Sequence, residues 1–159
     1  MKDSSFHIPL VDIVAQYHSI RAEMDEAINT VVEKGHFIGG DIVRDFASQF
    51  AAYCEVPYCV PCANGTDALE IALTSLGIGK GDEVIIPALT FVATLEAVVN
   101  VGATPVLCDI DPKRYTIDTA KAIALVTPNT KAFIPVHLYG QMADMDPLVS
   151  CAHDNHMFL

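Results

Sequence analysis

The chain has 159 residues, of which 52% are hydrophobic, and a formal net charge of −11 with only nine lysine and arginine residues. A chain with this negative charge would be repelled by the phosphate backbone of a nucleic acid, so we expect no DNA or RNA partner. Any bound phosphate would have to be held by local groups. The sequence contains neither an apolar run near the roughly 18 residues of a membrane span nor a signal peptide, so no membrane partner is expected. Five cysteines, an odd number, indicate a reducing compartment, and we expect a cytoplasmic protein.

The first part of the chain predicts two helices. Apolar residues recur at helical spacing over residues 17–33 and again over residues 42–51, with a glycine-containing loop between the two stretches. We therefore expect an N-terminal segment with its helix, residues 1–35, followed by a larger domain, residues 36–159.

From residue 58 onward, strand-like and helical segments alternate. The predicted strands are residues 58–60, 84–87, 104–109 and 132–136, and the predicted helices are residues 66–76, 90–101, 119–126 and 147–153. This alternation predicts a three-layer α/β domain with a mostly parallel sheet and helices on both faces. Residues 157–159 resemble the start of a further buried strand, so we expect the domain to be incomplete.

In such a sheet, ligands bind beyond the carboxyl ends of the strands. The first segment expected there is Asn64-Gly65-Thr66-Asp67, where a predicted strand turns into a helix. Unpaired amides at a helix start attract an anion, Gly65 allows close approach, and the Thr66 hydroxyl can donate a hydrogen bond. The same residues are ordinary helix starters, with Asp67 as a possible cap, so a plain capping role stays open.

Two further segments, residues 87–94 and 135–141, follow the next predicted strands toward the same edge. A phosphate site beside an aromatic residue suits a cofactor with a flat heteroaromatic ring and a phosphate arm, and Phe91 could stack on that ring. A core aromatic near a helix start is the alternative interpretation of Phe91.

A C-x-x-C pair, Cys59 and Cys62, precedes the first of these segments. Such a pair can mark redox chemistry or half of a zinc site. No second pair stands nearby, so we interpret the stretch as part of a buried strand and predict no metal site.

Taken in order, these motifs resemble the DegT/StrS family of nucleotide-sugar aminotransferases, which use pyridoxal phosphate (PLP) and have the type I aminotransferase fold. The similarity runs along nearly the whole chain. The matching segments are residues 8–12, 35–40, 64–69, 77–87, 90–94, 102–106 and 135–141.

The resemblance implies roles for named residues. Gly65 and Thr66 would contact the phosphate of PLP, Phe91 would stack on its pyridine ring, and His137 and Tyr139 would line or buttress the pocket. The substrates would be a keto-sugar carried on a nucleotide and an amino-acid donor, glutamate, and the enzyme would be a homodimer serving polysaccharide biosynthesis.

The resemblance also implies that an aspartate for the pyridine nitrogen and a lysine for the cofactor aldehyde lie beyond Leu159. The six lysines of the chain fall in none of the three strand-end segments, so we assign no catalytic residue and expect the chain alone to be inactive. A non-catalytic interaction module and a PLP-dependent sugar dehydratase are the alternatives. A dinucleotide-binding protein is disfavoured because no G-x-G-x-x-G occurs.

Overall fold

The computed structural model describes residues 9–159, and the chain divides into two compact units with the boundary between Pro61 and Cys62. The predicted division into residues 1–35 and residues 36–159 stays a prediction. Within the described residues, no helix combines the length and the apolar character that crossing a bilayer requires.

The first unit contains two helices, α1 (Ile13–Lys34) and α2 (Gly40–Tyr53), which confirms the predicted pair. The side chain of Asp12 caps the start of α1 by accepting a hydrogen bond of 2.8 Å from the Ala15 amide. Gly35 ends the helix with a φ of 65°, a left-handed conformation that glycine adopts without a steric penalty.

The predicted strand over residues 58–60 is wrong. These residues form no ladder with another strand in the described part of the chain. A β-branched and aromatic run favours extended backbone, but a strand also needs a neighbour for its N–H and C=O groups. The start of the following helix is therefore preceded by irregular backbone rather than by a strand.

The second unit is a three-layer α/β structure. Its elements, in chain order, are α3 (Gly65–Ser75), β1 (Glu83–Pro87), α4 (Ala93–Asn100), β2 (Thr104–Cys108), α5 (Thr119–Ala124), β3 (Thr130–Phe133) and α6 (Met145–Asp154). The three strands are all parallel, in the order β2-β1-β3, as the alternating pattern predicted. Phe158 adds a parallel bridge to Ala132 of β3, where a further strand was predicted to begin.

Strand β1 lies between two apolar cores. Val84 and Ile86 pack with residues of α3 and α4 on one face, whereas Ile85 packs with residues of α5 and α6 on the other. All three side chains are fully buried. A central parallel strand covered on both faces explains why this segment reads as an uninterrupted apolar run.

Candidate cofactor site

Helix α3 begins with a reciprocal cap. The Asn64 side-chain oxygen accepts a hydrogen bond of 2.9 Å from the Asp67 amide, and its Nδ2 donates one of 3.1 Å to the Asp67 carboxylate. The capping residue is thus Asn64, and Asp67 stabilises it from the first turn. This arrangement holds the Asp67 carboxylate against the Asn64 amide group.

The first two amides of α3 are left without a partner. Among the described residues, no acceptor is hydrogen-bonded to the backbone N–H of Gly65 or Thr66 or to the Thr66 hydroxyl. A Cβ placed on Gly65 would meet no heavy atom within 4 Å, so the space beside this residue is open. Two amides and a hydroxyl beside the positive end of a helix macrodipole match the chemistry of a phosphate group.

Chain direction puts this helix start at the carboxyl edge of the sheet. Helix α3 leads into β1 and α4 leads into β2, so both helices run antiparallel to the strands. A 2.6 Å hydrogen bond from Asn100, the last residue of α4, to Glu70, in the middle of α3, joins the two helices. Gly65, the first residue of α3, therefore lies at the end of the helix that faces the carboxyl edge of the sheet.

Phe91 lies at the same edge, in the turn between β1 and α4. Its side chain is 76% exposed, so it is not a core aromatic. It borders a cavity of about 260 Å³, which is lined by Ile86, Pro87, Ala88, Thr90, Phe91, Val92, Leu95 and Leu107. An exposed ring on an apolar cavity at a strand end can stack on a planar ligand.

The segment after β3 presents His137 and Tyr139. The His137 Nδ1 accepts a 3.2 Å hydrogen bond from the Ala143 amide, which leaves Nε2 to carry the ring proton when the imidazole is neutral. Tyr139 has a φ of 57° and is 91% exposed. Neither residue lines the Phe91 cavity, nor do Gly65 and Thr66, so the pocket role of His137 and Tyr139 stays a prediction.

Lys121 is engaged in ion pairs, and Lys80 lies at the other edge of the sheet. Lys121 donates a 3.0 Å hydrogen bond to Asp109 and lies 3.4 Å from Asp118. The contact with Asp109 raises the pKa of Lys121 and lowers the pKa of Asp109. Lys80 stands in the turn before β1, at the opposite edge of the sheet from Gly65. None of the described lysines lies in residues 64–67, 87–94 or 135–141, the three strand-end segments.

The cysteine pair shows no ligand geometry. Both thiols are free, and Cys62 donates a weak hydrogen bond of 3.4 Å to the Asn64 carbonyl. Among residues 9–159, no group of three or more His, Cys, Asp or Glu side chains is arranged to hold a metal ion.

Sequence reasoning missed one contact at this site, between two threonine hydroxyls. Thr90 Oγ1 lies 3.0 Å from Thr94 Oγ1, on either side of Phe91 in the chain. The four-residue spacing of two threonines across a helix start was the available signal.

A parallel α/β layer with two unpartnered amides at a helix start and an exposed aromatic at its carboxyl edge suits a phosphorylated, planar ligand. The chain belongs to the DegT/DnrJ/EryC1/StrS aminotransferase family, whose sequence profile matches residues 18–159. The resemblance seen in the sequence is thereby confirmed.

Similar proteins support this assignment. The dTDP-3-amino-3,4,6-trideoxy-alpha-D-glucose transaminase of Streptomyces venezuelae is 44% identical over 94% of this chain and 39% of its own length. The crystal structure of S. venezuelae DesV superposes with a TM-score of 0.90 at 43% identity, covering 94% of this chain and 40% of that one. The PLP form of Spr1654 from Streptococcus pneumoniae gives a TM-score of 0.79 at 32% identity, covering 87% of this chain and 36% of that one.

The chain thus spans about 40% of the length of the curated relatives that it matches. Its sheet and helices correspond to part of the large domain of the type I aminotransferase fold, as predicted.

Proposed function

We propose that this protein is a PLP-dependent aminotransferase that moves an amino group from an amino acid, glutamate, onto a keto-sugar carried on a nucleotide. The observation that carries this proposal is the pair of unpartnered amides at Gly65 and Thr66, at the same sheet edge as exposed Phe91. Family membership supplies the reaction class. Residues 36–159 would belong to the PLP-binding large domain, with residues 1–35 as an N-terminal segment.

The residues present fit PLP. The open space at Gly65 and the unused hydrogen-bond donors there can accommodate the phosphate, and the exposed ring of Phe91 can stack on the pyridine ring. When bound, PLP supplies an electron-withdrawing ring that stabilises negative charge on a substrate carbon. The chain's own contribution is binding and orientation: Gly65 and Thr66 fix the phosphate, and Phe91 fixes the plane of the ring.

Binding of PLP by the chain tests the proposal. Equilibrium dialysis should show reversible PLP binding, and pyridoxal without its phosphate should bind at least about tenfold more weakly, since it cannot use two charge-assisted hydrogen bonds. The chain should not transaminate glutamate at an enzymatic rate, because no lysine of the chain lies in the strand-end segments to transfer the proton. Equal affinity for PLP and pyridoxal would contradict the assignment of Gly65 and Thr66.

We also propose that the protein is a homodimer. Support comes from α1, which has no buried residue although Tyr17, Ile20, Met24 and Ile28 recur along one face. An apolar stripe that is left exposed among the described residues favours association. Sedimentation analysis should give a dimer, and Met24→Glu should shift it toward monomer. Ala22→Glu adds the same charge on the same helix but outside the stripe, and should leave the dimer intact.

We propose a cytoplasmic location and a role in polysaccharide biosynthesis for the aminated sugar. The location is supported by the five cysteines, all of which are free thiols, as expected in a reducing compartment. The pathway is supported only by the sugar substrates named for similar proteins.

A further inference from the structure

Two threonine side chains hold the turn that carries Phe91. Their hydroxyl oxygens are 3.0 Å apart, and either can donate to the other. Thr94 is only 6% exposed, whereas Thr90 is half-buried and borders the Phe91 cavity. A buried hydroxyl needs a partner, and among residues 9–159 Thr90 provides it for Thr94.

Thr94 anchors this turn at two points. Its amide donates a 3.1 Å hydrogen bond to the Phe91 carbonyl, and its hydroxyl meets Thr90 on the other side of Phe91. The residue at the cap position of α4, Val92, provides no side-chain hydrogen bond. In place of a capping side chain, the hydroxyl pair therefore fixes the backbone around Phe91.

We propose that Thr90 and Thr94 are positioning residues that hold Phe91 ready for the ring of the cofactor. This inference rests on the proposed function. Since Phe91 is 76% exposed, packing against the protein does little to fix it, and its direction depends on the backbone of the turn. A ring that is already oriented loses less conformational entropy when a ligand stacks on it.

Different residues of one site would then bind the two parts of the cofactor. The Thr90–Thr94 pair governs affinity for the ring of PLP, whereas Gly65 and Thr66 govern affinity for its phosphate. The two contributions can be separated, because inorganic phosphate competes for the helix start but makes no contact with Phe91.

The test is Thr90→Val, which replaces the hydroxyl by a methyl group of similar size. The dissociation constant for PLP, measured by equilibrium dialysis, should rise about five- to tenfold, which corresponds to losing the ordering of about one side chain. The inhibition constant of inorganic phosphate as a competitor should not change. Phe91→Leu should weaken PLP about tenfold, and Thr90→Val should add nothing in the Phe91→Leu background, because both changes remove the same interaction.

Two controls separate positioning from general stability. Thr90→Ser keeps the hydroxyl and should restore the affinity for PLP. Thr127→Val removes a hydroxyl that donates to Glu83 near the start of β1, and should leave the affinity for PLP unchanged. Thr90→Ala repeats the test at this half-buried position if valine disturbs folding, as judged by circular dichroism.

The inference would be overturned by an unchanged PLP affinity in Thr90→Val, by additive losses in the double variant, or by an equal loss of phosphate affinity. If the unmodified chain binds no PLP at all, the proposed function fails together with the inference. If it binds PLP and loses affinity only through Phe91→Leu, the function stands and the positioning role alone is refuted.

Discussion

Replacing Gly65 by aspartate will weaken PLP binding at least about 100-fold. The new carboxylate would stand at the first position of α3, directly in front of the amides assigned to the phosphate. Two like charges about 4 Å apart repel by about 4 kcal/mol in a partly exposed site, and tenfold in affinity corresponds to about 1.4 kcal/mol. Equilibrium dialysis with PLP measures the change.

The fold should tolerate this substitution. A Cβ at position 65 meets no heavy atom within 4 Å, and a negative charge in the first turn of a helix interacts favourably with its macrodipole. The free energy of unfolding, measured in urea, should therefore fall by no more than about 0.5 kcal/mol. Loss of PLP binding with an intact fold would separate the site from the scaffold.

A matched control is Ala120→Asp. Ala120 is exposed in the first turn of α5, which packs on the opposite face of the sheet from α3. The substitution introduces the same charge at the same kind of helix position and should leave the affinity for PLP unchanged. A less than threefold effect of Gly65→Asp, or an equal effect of Ala120→Asp, would contradict the assignment of the phosphate site.

Replacing Phe133 by alanine will destabilise the second unit by about 3–5 kcal/mol. Phe133 is 2% exposed and is among the largest fully buried side chains of the chain. Its loss removes apolar contact with Ile85 and Leu148 and leaves a cavity that rigid strands cannot close. Since the free energy of unfolding of a domain is only about 5–15 kcal/mol, this substitution would remove a large part of it.

Urea unfolding followed by circular dichroism measures this loss. Val149→Ala, on the exposed side of α6 with 51% of the residue accessible, removes apolar atoms without opening a cavity. Its effect should stay within about 0.5 kcal/mol. Similar effects of the two substitutions would mean that Phe133 is not the core residue that its burial indicates.

The start of α3 could be predicted from the sequence because its determinants are local. Asn64 caps the helix with a side chain that reaches only as far as Asp67, and Gly65 follows at once. The apolar run of β1 was equally informative, because burial on both faces leaves no polar alternation to interpret. Local chemistry thus predicted both the scaffold strand and the helix start.

The limits of β3 and α4 depended on distant partners. Strand β3 was predicted over residues 132–136 but covers Thr130–Phe133, since its pairing with β1 begins at Thr130 and Pro135 has no N–H for a ladder. Helix α4 was predicted from residue 90 but begins at Ala93, because residues 90–92 form the turn held by Thr94. Hydrophobic spacing carries no information about such contacts.

The two-sided burial of β1 couples the layers of the second unit. Ile85 belongs to one core and Val84 and Ile86 to the other, so neither helical layer can detach without uncovering the strand that both share. Backbone amides of β1 should then exchange with solvent only through concerted opening of the whole unit. Binding of the cofactor at the start of α3 would therefore slow the hydrogen exchange of backbone amides in α5 and α6 as well, although neither helix touches the ligand.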